Sequence, residues 1–252
     1  LPKASSGDPN PMRSAERMLQ VLRSFRSDAS RRTLNEVAQE LALAPTTVRR
    51  LLETLERNRF LTFEPESSRY ALGLELVRLG GVALGAIDLV RDARPVLGRL
   101  ERETGEAVQL TVLDGAYAVV IDFRPGRNVF RYFHGAGHRY LSYAGSASGK
   151  VLLADLDGDA LNQTLASSAP PRELEIVLDQ VRKQGFAIND RETQPDVWAI
   201  AAPVRNHTGR VVAAVNVPCL VSRLDTQGKR RVTDLVCAAA GEISKALLHP
   251  AQ

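Results

Sequence analysis

Cysteine is nearly absent: Cys219 and Cys237 are the only two in 252 residues, too few to frame a disulfide scaffold in a chain this long. Long apolar runs are missing, and no uninterrupted stretch is long enough to cross a bilayer. The first residues, LPKASSGDPNPM, carry one lysine but no apolar core and do not read as a secretory signal. Residues 1–11 are therefore expected to form a disordered arm, and a reducing cytoplasm is the expected setting. Catalytic signatures are missing too. No Gly-x-Ser-x-Gly elbow occurs. His134 and His138 are four residues apart but sit in the glycine-containing HGAGH, with no acidic or cysteine partner nearby, so a loop is expected there and not a metal site. A non-enzymatic protein without cofactor or metal follows as the expectation.

What is present is an ordinary globular composition, 44% hydrophobic and 25% charged, with room for two domains. The net charge of +4 is unevenly placed: residues 1–60 hold 11 Lys/Arg against 7 Asp/Glu, whereas residues 61–252 hold 22 of each. A basic excess confined to the first quarter points to an anion-binding N-terminal module, with nucleic acid the first partner to consider.

The periodicity of that module is helical. In RSAERMLQVLRSFR, Ala15, Met18, Leu19, Leu22 and Phe25 fall on one face at the 3.6 period. In TLNEVAQEL, Leu34, Val37, Ala38 and Leu41 do the same, and Thr33 with Glu36 makes a capping box that fixes the helix start. Pro45 restricts Ala44 to extended backbone and suits the first turn of a third helix, TTVRRLLETLERN. There Val48, Leu51, Leu52 and Leu55 face inward, leaving Thr46, Thr47, Arg49 and Arg50 outward near the N-terminal end. Two short helices joined by a tight turn, the second exposing hydroxyls and guanidiniums at its start, form the helix-turn-helix layout. The competing reading is a three-helix bundle with a solvated basic face. FLTF and RYAL around the turn Glu64–Ser68 then predict a small hairpin, a wing, with Arg69 near its tip. Arg31 and Arg32, just before the second helix, are further candidates for phosphate contact.

GLELVRLGGVALGA is apolar and helix-prone but interrupted by glycines, and the domain boundary is expected here. DLVRDARPVLGRLERETG predicts a helix with Leu89, Ala93, Val96, Leu97 and Leu100 inward, bent or restarted at Pro95 and stopped at Gly105. The period then switches to two in AVQLTVLDG and AYAVVIDFR, and again in AIAAPVR and VVAAVNV. Helices are expected over KVLLADL, over RELEIVLDQVRKQG, and from about Gly228 to Leu248. The sum is an α+β domain with an antiparallel sheet.

AGSASGKV, residues 144–151, comes near a phosphate-binding loop, with Ala144 at the first glycine position and Val151 at the hydroxyl position. A nucleotide- or phosphate-binding enzyme using this loop is the alternative function. Trp198, beside the polar stretch Asn189–Glu192, suits the wall of a small-ligand pocket.

Taken in order, LALAPTTVRRLLETLERNRFL, RYALGLELVRLG, ARPVLGRLERETGEAVQLTVLDG, SASGKVLLA and GFAINDRETQPDVWAIAAPVRNHTGRVVAAVNV resemble the IclR family of bacterial transcriptional regulators over about residues 13–248. The resemblance implies a winged helix-turn-helix DNA-binding domain at 12–72, a linker helix at 73–87 that pairs subunits, and a GAF/PAS-like effector-binding domain at 88–252. It implies double-stranded operator DNA and a small-molecule effector as partners, a homodimer or dimer-of-dimers tetramer as the assembly, and no membrane association. Thr46, Thr47, Arg49 and Arg50 fall on its recognition helix, and its effector pocket falls around Ala147, Ser148, Asn189, Ala199, Asn216 and Pro218. Small-acid binders in the family carry an acidic residue at the place of Asn189, cysteine at Ala199, and serines at Asn216 and Pro218, and the family's usual glycine before the IAAPV strand is Asp196 here. These departures suit a larger, partly apolar carboxylate, an aromatic acid, against Ala199, Trp198, Tyr143 and Phe133.

Overall fold

The computed structural model describes residues 11–26, 28–85, 87–127, 135–141, 145–165 and 173–248. The chain divides into two compact units, Leu1–Ala86 and Ile87–Gln252.

The first unit contains helices α1 (Pro11–Arg23), α2 (Leu34–Leu41), α3 (Pro45–Arg57) and α4 (Leu74–Gly85), with short strands β1 (Arg31–Arg32), β2 (Leu61–Glu64) and β3 (Arg69–Leu72). The expected capping box forms: the Glu36 N–H donates to Thr33 Oγ1 at 3.2 Å and the Thr33 N–H donates to Glu36 Oε2 at 2.8 Å. Ala42 ends α2 in the left-handed region at φ 51°, and extended Ala44 with Pro45 starts α3. Val37, Ala38, Val48, Leu51, Leu52, Leu55 and Leu61 build one core with Val21, Phe25 and Tyr70. The expected inner face of α1 is turned. Val21 is fully buried whereas Leu19 is 52% exposed and Ala15 is exposed, because Met18, Val21, Leu22 and Phe25 form the i, i+3, i+4 ridge that meets the core.

β2 and β3 pair antiparallel in the expected hairpin, with Phe63 opposite Tyr70 and their ring centroids 4.8 Å apart. A third strand was not expected: β1 pairs with β3 through Arg31↔Ala71 and Arg32↔Tyr70. Gly73 joins β3 to α4. Its N–H donates to Phe60 O at 2.8 Å, and a Cβ there would fall 2.1 Å from Arg59 O. The α4 segment is helical through its glycines and buries none of its side chains in this unit, leaving Leu74, Val77 and Val82 at least 63% exposed.

The second unit is a six-stranded antiparallel sheet in the order β6-β5-β4-β9-β8-β7. Its strands are β4 (Val108–Asp114), β5 (Tyr117–Arg124), β6 (Arg139–Leu141), β7 (Ala187–Asp190), β8 (Val197–Arg205) and β9 (Val211–Leu220). Helices α6 (Ala147–Ala154), α7 (Gly158–Leu165) and α8 (Leu174–Gln184) join a core with the Ala199 and Ala201 side of β8, while α5 (Asp88–Thr104) and α9 (Thr226–Leu248) lie on the other side of the sheet. Pro95 neither stops nor restarts α5, which runs as one helix to Gly105 at φ 70°. On α5 the buried residues are Val90, Ala93, Val96, Leu97 and Leu100, with Leu89 only half-buried. No helix of the described residues is long and apolar enough to cross a membrane.

Candidate nucleic-acid interface and ligand pocket

The start of α3 is open. Ala44 offers no side-chain cap and Pro45 has no N–H, so the helix dipole and the Thr46 N–H face outward at a terminus that attracts anions. Thr46, Arg49 and Arg50 are exposed and Thr47 is half-buried, opposite the buried Val48, Leu51, Leu52 and Leu55. Neither Arg49 nor Arg50 enters an ion pair among the described residues.

The other arginines singled out by position hold the fold. The Arg32 side chain is only 9% exposed; its guanidinium donates to Ser24 O at 2.9 Å, Glu40 Oε2 at 2.5 Å and Glu36 O at 3.2 Å. It is not available to DNA, because the β1–β3 pairing turns it under the loop between α1 and α2. Glu40 also accepts from Arg26 at 2.9 Å, and the hydrogen bond from Arg32 holds its carboxyl below the usual range. Arg69 is clamped by Glu36 Oε2 and Oε1 at 3.2 Å each and by Arg31 O at 3.0 Å. Arg31 is 63% exposed and pairs with Glu64 at 3.2 Å. Of the basic residues expected at DNA, only the α3 pair stands clear of internal acids.

The second unit contains a cavity of about 270 Å³ between the start of α6, β6, β7, β8 and β9. It is lined by Ala147, Ser148, Asn189, Ala199, Asn216 and Pro218, which come together from three strands and a helix. Period-two alternation explains the strand contribution: Val197 and Ala199 of β8 face the cavity, and Ala199 lies opposite both Asn189 and Pro218. Trp198 therefore points the other way. It is 2% exposed, borders a separate cleft with Phe186 and Ile188, and has Lys229 Nζ 5.6 Å from its ring centroid. Its expected place in the ligand wall is corrected by strand phase. Phe133 and Tyr143 lie outside the described residues.

Gln109, Tyr140, Ser146, Thr193, Gln194 and Val197 also line the cavity and were not singled out by sequence, and His138, weighed by sequence only as a metal ligand, lines it too. The Tyr140 hydroxyl sits among those of Ser148, Thr111 and Ser146, and burial pushes its pKa up; the Ser148 and Thr111 oxygens make no close hydrogen bond of good geometry. Asn189 shapes the rim: its Nδ2 donates to Thr193 Oγ1 at 2.7 Å and its Oδ1 accepts from the Glu192 N–H at 3.0 Å. Asn216 Nδ2 donates to Gln109 Oε1 at 2.8 Å.

All eight residues of α6 are buried. Ser146 caps it, accepting from the Gly149 N–H at 3.0 Å, while the Ala147 and Ser148 N–H groups have no partner among the described residues. The lysine that resembled a phosphate-loop lysine turns away from the cavity. Lys150 is 9% exposed in its side chain, donating to Ile188 O at 2.9 Å and to both Glu192 oxygens at 2.5 and 2.6 Å. Gly145, at φ 78°, lies so close to this acid that a Cβ would come within 3.1 Å of Glu192 Cβ. The loop is not a nucleotide cradle: its cation is committed to the β7 end, and no Lys, Arg, Asp or Glu lines the cavity among the described residues.

Residues 14–65 match the family model for the IclR helix-turn-helix domain, and residues 81–245 match that for the bacterial transcriptional regulator IclR C-terminal domain. The chain is 32% identical over 250 residues to the HTH-type transcriptional regulator XynR of Escherichia coli (strain K12), covering 95% of this chain and 99% of that one. A crystal structure of an IclR transcriptional regulator from Alicyclobacillus acidocaldarius superposes with a TM-score of 0.80 at 27% identity, covering 94% of this chain and 99% of that chain. An IclR homolog from Microbacterium hydrocarbonoxydans, complexed with 4-hydroxybenzoate, shares the fold with a TM-score of 0.79 at 22% identity, over 93% of this chain and 98% of that chain.

Proposed function

The chain belongs to the IclR family of bacterial transcriptional regulators, and from that premise we propose that it binds double-stranded operator DNA through the first turns of α3 and that a small carboxylate in the α6 cavity modulates this binding. The observation that supports the DNA contact is the set of exposed Thr46, Arg49 and Arg50 with half-buried Thr47, on a helix whose opposite face is core. Arginine makes bidentate contacts to guanine edges, and threonine meets thymine methyls or phosphates. Arg31 and Arg69 act at most as outlying phosphate contacts, through whatever their internal acids leave free. We take its site of action to be the cytoplasm, where a bacterium keeps its DNA.

A homodimer or dimer of dimers presents two such helices to half-sites about 34 Å apart, or multiples of that. The exposed Leu74, Val77, Leu79 and Val82 of α4 are the surface that pairs subunits. The effector domain occupies 88–252 and the DNA-binding domain 12–72, with 73–87 between them. An effector that binds one arrangement of the recognition helices better than another shifts operator affinity by that difference and by no more.

The cavity suits a carboxylate without a cation. The N–H groups of Ala147 and Ser148 at the α6 start, without a partner among the described residues, supply the donors with the surrounding hydroxyls. Its volume is at the small end for ligand pockets, which favours a metabolite with one ring or a short chain. Ala199, Val197, Pro218 and the Tyr140 ring provide apolar wall, and the fold relative that holds 4-hydroxybenzoate supports an aromatic acid.

Gel shifts and fluorescence anisotropy on the DNA upstream of the protein's own gene test the proposal. Arg49→Ala and Arg50→Ala should each weaken binding by roughly 5- to 100-fold with the melting temperature unchanged. Full-affinity binding by the double variant at moderate salt removes α3 as the recognition helix.

A further inference from the structure

We propose that the Gln109–Asn216 amide pair reads a hydroxyl group, so that the ligand is a hydroxylated carboxylate and not a plain one; the inference rests on the carboxylate reading of the cavity. The two residues face each other across the β4–β9 ladder as register partners. Both are at least 94% buried, at 5% and 6% exposure, and both line the cavity. Asn216 Nδ2 is committed to Gln109 Oε1 at 2.8 Å, but Asn216 Oδ1 is buried with no hydrogen-bond partner. Gln109 Nε2 likewise has no partner among the described residues. Exchanging the two ends of both amides swaps which residue supplies which group and leaves the sum unchanged. The pair therefore offers the cavity one acceptor and one donor.

That sum selects the chemistry of what meets it. A carboxylate oxygen only accepts, and against Asn216 Oδ1 it sets lone pair against lone pair. An ammonium only donates and meets the Gln109 amino group, in a cavity with no Asp or Glu among its described lining residues. A hydroxyl does both, donating to the carbonyl oxygen while accepting from the amino group. The donors at the α6 start suit the carboxylate, so the two polar regions of the cavity call for different groups on one small molecule. A ligand with hydrogen or methyl in place of the hydroxyl leaves these buried groups unpaired, which is how a site built for a hydroxyl rejects its deoxy analogue.

Isothermal titration calorimetry on the full chain tests this with matched acids: benzoate, 3- and 4-hydroxybenzoate, 4-methoxybenzoate, butyrate and 3-hydroxybutyrate. At least one hydroxylated acid should bind about 10-fold or more tighter than its deoxy parent, and the methoxy acid, which accepts but cannot donate, should not recover the gain. In Asn216→Leu and Gln109→Leu the ratio should fall to within about 2-fold, with the deoxy acid still bound. If the acids bind but hydroxylated and parent compounds bind alike, the hydroxyl inference is overturned and the carboxylate reading stands. A hydroxyl preference that persists in both leucine variants removes the amide pair as its reader. If no carboxylate of either kind binds, the effector reading falls and takes this inference with it. The preference itself is read in the unaltered protein, and Asn216→Asp, which keeps an acceptor but loses the amide donor, replaces a leucine variant that fails to fold.

Discussion

α3 and α6 both begin with a helix N-terminus that attracts negative charge, and they are built in opposite ways. At α3 the start is open, has no side-chain cap and carries exposed arginines. At α6 it is buried throughout, is capped by Ser146, and the nearby lysine is drawn off to Ile188 O and Glu192. The first suits a long polyanion met at the surface, where charge acts at a distance and each contact is diluted by salt. The second suits one small anion enclosed by backbone and side-chain hydrogen-bond donors, where direction decides binding. On the proposed assignments, a basic composition marks the polymer site and says nothing about where a small anion goes.

Salt should separate the two sites most widely. Operator binding by an assembly with six or more phosphate contacts should fall by about 10³-fold or more between about 50 and 200 mM salt, whereas a carboxylate titrated into the cavity over the same range should change by no more than about 2-fold. Parallel anisotropy and calorimetry check this, and a steep slope for the small acid would mean that a cation reaches the cavity after all. Next in size, Arg32→Ala should destabilise the first unit by about 2 kcal/mol, since it takes the buried charged donor from the Ser24 and Glu36 carbonyls and leaves Glu40 with Arg26 alone. Urea unfolding followed by hydrogen exchange of α2 and α3 measures it. A loss of operator binding with stability intact would instead return Arg32 to the DNA face. The smallest effect tests the caps. Ser146→Ala should cost the second unit about 1 kcal/mol, and Ala44→Ser should stabilise the first by about 0.5 kcal/mol; equal shifts of one sign in thermal melts would erase the distinction between the two helix starts.

Local chemistry was readable in the sequence where both partners lie within a turn or two. The Thr33–Glu36 box, the Ala44–Pro45 start and the inward row Val48, Leu51, Leu52 and Leu55 are of this kind. Phase and distant pairing were not. Trp198 was assigned to the ligand wall because it borders a polar stretch, but its neighbour Ala199 occupies that side of β8. Arg32 looked like a phosphate contact until β1 closed on β3, a pairing of two residues with a strand some forty positions on. Gln109 escaped notice because its meaning depends on Asn216, 107 residues away, and no period within either strand links them. Ala147, Ser148, Asn189, Asn216 and Pro218 were reached through family resemblance, because small and neutral residues carry little signal of their own.

Gly73 has a consequence for anyone screening this protein. Its Cβ-free backbone fits against Arg59 O where any other residue would collide, and both strand β3 and helix α4 depart from that point. A saturation library scored only by reporter output would therefore rank position 73 with Arg49 and Arg50, although it reads no base. Sorting such hits by soluble yield before interpreting them as operator contacts would separate the proposed base-reading residues from the one that sets how the helix leaves the wing.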